Sequence, residues 1–116
     1  MTQIRVLLNF RHQTSETADA QIERSKAIAA NGLQEHGCLQ YEVYRSVTNP
    51  NNIAVLELWE SKKVYDEHWR RQKSPPKPFP GATSDFEFYP HETYVFDDGV
   101  WKPLNPEKRI SAIMFA

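Results

Sequence analysis

At 116 residues the chain has the length of one domain built around a single hydrophobic core. A formal net charge of −1, with 25% charged residues, leaves no basic excess for nucleic acid or an anionic membrane. No apolar run approaches the ~20 residues of a bilayer-crossing helix, and Met1-Thr2-Gln3-Ile4-Arg5 lacks a basic-then-apolar leader, so a cytoplasmic location is expected. The single Cys38 excludes an internal disulfide and cannot alone build a thiolate metal cage.

The first predicted strand covers 4–10. Ile4, Val6, Leu8 and Phe10 fall on one face, and Arg5, Leu7, Asn9 and Arg11 on the other. The first face is wholly apolar and requires a cover. The second, with Asn9 between Leu7 and Arg11, suits a partly polar cavity. Thr14, Ser15 or Glu16 then opens a helix ending near Gln34, with Ala18, Ile22, Ser25, Ala29 and Leu33 as its inward stripe. Residues 37–45 alternate and are rich in aromatic and β-branched side chains, which predicts a second strand. Thr48-Asn49-Pro50-Asn51-Asn52 is turn chemistry, and a third strand follows over 53–59. Ser61 caps a second helix whose stripe is Val64, Tyr65, His68, Trp69 and Gln72.

A hairpin feeding directly into an amphipathic helix folds that helix back over the sheet. Trp59 and His68 should therefore both look into the gap between the layers. Residues 73–84 carry Pro75, Pro76, Pro78 and Pro80 around Phe79 and Gly81, and read as a stiff connection. The Pro75–Pro78 spacing is a weak match to proline-recognition ligands. In the next strand Phe86 and Phe88 face one side, Glu87, Tyr89 and His91 the other, and Pro90 suits an edge strand or a bulge and argues against a central position. Asp98-Gly99 signals a hairpin that sets Phe96 opposite Trp101. An apolar tail, Ile110 with Ala112, Ile113, Met114 and Phe115, needs a surface to cover.

This order predicts a ferredoxin-like α+β domain over 1–92, βαββαβ with an antiparallel sheet, plus a hairpin-and-tail extension over 93–116. The expected cover for Ile4, Val6, Leu8 and Phe10, joined by Phe86 and Phe88, is a second copy of the chain, hence a homodimer. Glu57 is expected to pair with Arg11 or Arg5. No histidine or acid falls at a metal-ligand spacing, and no phosphate loop is present.

Residues 2–92 resemble the antibiotic biosynthesis monooxygenase family, the dimeric α+β barrels. Three features carry the resemblance: Gly37-Cys38-Leu39-Gln40-Tyr41 opening a strand, Glu57-Leu58-Trp59-Glu60-Ser61 closing the next, and a helical His68 after them. It implies the ferredoxin-like homodimer. For activity it implies a range: cofactor-free oxygenation, quinol oxidation, haem degradation or signal-molecule turnover.

In a haem reading Asn9, Trp59 and His68 form the set, although Tyr65 and Trp69 would crowd a flat macrocycle. In a cofactor-free reading the substrates are O2 and an electron-rich phenol, hydroquinone or enol. His68 is then the base, Asn9 and Arg11 stabilise the substrate anion, and Trp59, Tyr65, Tyr41 and Trp69 form walls. His91 is placed at the pocket or at a dimer contact. A third reading is a dimer that binds a small apolar ring without chemistry.

Overall fold

The computed structural model describes residues 2–72 and 76–104. Eight elements follow in order: β1 (Gln3–Arg11), α1 (Ser15–Gly32), β2 (Cys38–Arg45), β3 (Asn52–Trp59), α2 (Lys62–Arg71), β4 (Thr83–His91), β5 (Tyr94–Asp97) and β6 (Val100–Pro103). The first four strands form an antiparallel sheet in the order β2-β3-β1-β4, and β5 with β6 forms a separate hairpin. This is the expected ferredoxin-like α+β arrangement. Pro90 lies on β4, an edge strand, where proline is tolerated. The tail residues, and Pro75 of the proline spacing, lie outside the described residues. Among the described residues no helix is long and apolar enough to cross a membrane.

Both helices start where side chains can accept from the first free amides. Thr14 Oγ1 accepts from the Thr17 amide at 3.3 Å, and Ser61 Oγ from the Val64 amide at 3.2 Å. The buried stripe of α1 is Ala18, Gln21, Ser25, Ala29 and Gly32. It is rotated from the expected one, with Gln21 in place of Ile22 and Leu33 left 36% exposed. Gln21 is tolerated inside because its Nε2 donates to Ser25 Oγ at 2.9 Å.

The register corrects the expected use of the two sheet faces. Ile4 pairs with Trp59, Val6 with Glu57 and Leu8 with Val55. Directly opposed residues share a face, so the Ile4, Val6, Leu8, Phe10 row belongs to the same side as Trp59, beneath the helices. Val6 is fully buried there, and Ile4, Leu8 and Phe10 pack against the core of Val55, Trp59, Val64 and Tyr65. The apolar row is covered by the chain's own helices and not by a second copy. Phe86 and Phe88 do share this face, opposite Leu8 and Val6, at its half-open margin.

The other face is uncovered within the chain and laced with polar contacts. Arg5 and Gln40 both pair in register with Leu58, and Arg5 donates to the Gln40 side-chain carbonyl across it. Leu58 beneath them is 1% exposed.

The turn entering β2 is held at Gly37, with φ of +82°, and its carbonyl accepts from the Glu60 amide at 2.9 Å. A Cβ here would sit 2.3 Å from Val64 Cγ1, at the first turn of α2. Gly37→Ala combines left-handed strain with overpacking and should cost at least about 2 kcal/mol. Urea denaturation of the variant against the parent measures it.

Candidate active-site pocket

Between the helices and the sheet lies a cavity of ≈ 450 Å³, closed on one side by the 76–82 loop. Leu8, Phe10, Ile28, Val55 and Phe79 make its apolar walls. Tyr41, Glu57, His68, Trp69 and Arg24 bring polar atoms to it.

His68 is 6% exposed, and its ring centroid lies 4.8 Å from that of Trp59. Its Nδ1 is hydrogen-bonded to Glu35 Oε2, and Glu35 Oε1 accepts from Arg71 Nη2 at 3.0 Å. An ionised carboxylate only accepts, so Nδ1 carries the proton and Nε2 is left as the basic nitrogen. A buried imidazole is thereby fixed in one tautomer and one orientation.

Glu57 is 2% exposed and accepts from Trp59 Nε1 at 2.9 Å. Burial pushes its carboxyl up to about 7; the Trp59 bond opposes the shift and the charge of Glu35 adds to it. Burial likewise holds the Tyr41 hydroxyl well above its ordinary value, so it is a neutral donor at any physiological pH. Tyr65 is pushed up to about 12, again by burial.

Of the residues expected at the site, the fold brings His68, Tyr41 and Trp69 to the cavity wall. Trp59 and Tyr65 lie one layer behind, 0% and 4% exposed, where they support His68 without facing the cavity. Asn9 and Arg11 do not belong to the pocket. They sit on the far side of the sheet, where Asn9 Nδ2 donates to Asp85 Oδ1 and Glu87 Oε2, each at 2.9 Å, and Arg11 pairs with Asp85 at 2.7 Å. Strand alternation decides this, since Leu8 and Phe10 face the helices. His91 is opposite Gln3 at the sheet end and bonds to Thr93, also away from the cavity. Burial and the Arg5 charge lower its pKa.

The expected Glu57 ion pair is absent for the same reason. Arg5 projects from the other face and reaches only the Glu57 backbone carbonyl, at 3.3 Å. With Asn9 across the sheet and Trp59 sealed, the residues of the haem reading are not assembled around one cavity, and the site does not fit that group. Among the described residues no cluster of three or more His, Cys, Asp or Glu could hold a metal.

Sequence reasoning missed Glu35, Glu57 as a pocket acid, and Arg24. Glu57 carried a signal: a carboxylate between Val55 and Trp59 on an otherwise apolar face. Glu35 carried none, because a turn residue has no periodicity to place it.

The fold and pocket define a ferredoxin-like α+β protein with a buried histidine–carboxylate couple beside an apolar cavity. The chain belongs to the antibiotic biosynthesis monooxygenase family, whose sequence profile matches residues 4–73. Among solved structures, a Deinococcus radiodurans protein provisionally described as an antibiotic biosynthesis monooxygenase is 18% identical with a TM-score of 0.65, covering 83% of this chain and 99% of its own. A conserved protein from Methanosarcina mazei is 23% identical with a TM-score of 0.62, over 77% and 92% of the two chains. A mutant of SnoaB, a cofactor-independent oxygenase from Streptomyces nogalater, is 13% identical with a TM-score of 0.54, over 77% and 92%. At these identities the likeness shows the fold. No match is found among curated proteins.

The raised Glu57 carboxyl makes stability depend on pH. Its folded pKa of about 7 exceeds the ordinary 4.5, so the folded state binds the proton more tightly. Stability therefore falls as pH rises from about 4.5 through 7, by a total of order 3 kcal/mol. Glu57→Gln keeps an acceptor for Trp59 and removes the ionisation. Denaturant titrations between pH 5 and pH 8 should show a flatter stability profile, roughly, for that variant than for the parent.

Proposed function

We propose that the protein is a cofactor-independent oxygenase or oxidase of an electron-rich phenol, hydroquinone or enol, with this cavity as its active site. The observation that carries the reading is the His68–Glu35–Arg71 couple on the wall of an apolar cavity. Membership of the monooxygenase family supports it.

Ground-state dioxygen is a triplet and reacts slowly with closed-shell molecules, so the substrate has to become an electron donor first. His68 Nε2 takes the phenolic or enolic proton, and Glu35 stabilises the imidazolium that results. The Tyr41 hydroxyl is the neutral donor available to the substrate oxyanion on the wall of this largely apolar cavity. The anion then gives electrons to dioxygen. In the oxidase outcome the ring loses two electrons and two protons, and dioxygen leaves as hydrogen peroxide. In the oxygenase outcome a ring CH2 becomes a carbonyl, and the second oxygen atom leaves as water.

Oxygen uptake with a panel of hydroquinones and anthrones, with peroxide assayed in parallel, tests this. His68→Ala should lower kcat by about 100-fold or more, and Glu35→Gln by less. Equal rates for parent and His68→Ala on every active substrate would remove His68 from the mechanism. Tight binding of such rings with no uptake by the parent would make the protein a binding module.

The same reading includes a homodimer, joined through the open sheet face and not through the apolar row. That face carries Leu7, Leu56 and Tyr44 among the paired polar groups, and a sheet with helices on one side leaves its other side to be covered. The β5–β6 hairpin follows directly on the edge strand β4. Its Phe96 and Trp101 rings meet edge-to-face with centroids 5.4 Å apart yet remain 63% and 69% exposed, and two strands alone are marginal in water. Truncation after Glu92 should therefore yield monomer or aggregate in size-exclusion chromatography. An unchanged, equally stable dimer would make the segment a flap on its own subunit.

A further inference from the structure

The cavity has a second chemical end. On α1, Gln21, Arg24, Ser25 and Ile28 line it at helical spacing. Arg24 donates from Nη1 to the Lys77 carbonyl at 2.8 Å, and its guanidinium carbon lies 4.0 Å from the Phe79 ring centroid. Among the described residues it has no carboxylate partner: Asp19 is taken by Arg45, and Glu23 by Lys26. Its Nε is buried without a hydrogen bond. The other buried side-chain polar atom lacking a partner among the described residues is His12 Nε2, and the His12 ring lies 5.7 Å from the same Phe79. Two orphaned polar atoms thus flank one aromatic ring at one end of the cavity.

The acid–base groups lie at the other end. Glu57 pairs with Val6, whereas Ser84, which lines the cavity, pairs with Phe10. Four residues along β1 separate the two levels by about 13 Å. An apolar ring held between them would have its reacting oxygen near His68 and its far edge near Arg24. Arg24 is only partly buried, but its sheltered Nε has no partner, and a guanidinium matches a planar carboxylate in two hydrogen bonds.

We propose that Arg24 is the specificity-determining residue of the pocket and that the substrate is a fused or extended phenol bearing a carboxylate at the end remote from its reacting hydroxyl. This deepens the oxygenase reading and rests on the same cavity. The alternative role for Arg24 is mechanical, as the clamp that holds the 76–82 loop through Lys77 and Phe79.

Equilibrium binding of 6-hydroxy-2-naphthoate and of 2-naphthol to the full-length protein separates the two. These rings differ only in the distal carboxylate, and neither needs to be turned over. The parent should bind the carboxylate about tenfold or more tightly than 2-naphthol, with the preference shrinking as salt is raised. In Arg24→Gln the preference should vanish while 2-naphthol affinity stays the same; Arg24→Lys should retain part of it. Equal affinities in the parent, no binding of the naphthoate, or an equal loss of both ligands in Arg24→Gln would overturn the proposal, the last result leaving Arg24 a loop clamp. A protein that shows the preference yet consumes no oxygen would overturn the oxygenase reading and leave this one standing.

Discussion

The indole of Trp59 ties the layers together. It is fully buried, so its N–H must find an acceptor inside the protein, and the one it finds is the carboxylate of Glu57 two residues earlier on the same strand face. That bond keeps an acid in the core against the desolvation that would otherwise exclude it. The other side of the indole supports His68 and Tyr65 on α2. The distance between sheet and second helix, the orientation of the histidine and the presence of a carboxyl in the cavity thus all depend on one residue.

The element order was legible because each element declared itself locally. Ser61 is a helix cap, Thr14 stands among the three candidate starts of the first helix, Asn49-Pro50-Asn51 is a turn, and Pro90 argues against a central strand. Which face of β1 the helices cover was not local information. It depends on which residue of β3 stands opposite Ile4, and that register is fixed by tertiary packing. Reading Asn9 as a cavity residue followed from assuming that a polar side chain on a central strand needs a pocket. Here Asp85 and Glu87 on β4 satisfy it instead.

The site was half legible. His68 and Trp69 sit on a helical stripe whose period fixes their direction, and Tyr41 and Trp59 sit on strands that alternate. The partners that give these residues chemistry come from elsewhere. Glu35 belongs to the turn after α1, and Phe79 to a proline-rich connection that positions no side chain by periodicity. A sequence pattern locates a histidine; only the folded chain supplies its carboxylate.

The bond between Trp59 and Glu57 also gives the protein an optical property. Indole emission responds to charge close to the ring, and here the nearest carboxyl lies on the indole N–H and changes charge near neutrality. The other tryptophans, Trp69 and Trp101, are 42% and 69% exposed. The buried fluorophore is therefore set apart from them by its environment, and its emission carries a built-in readout of whether the cavity holds an acid or its conjugate base.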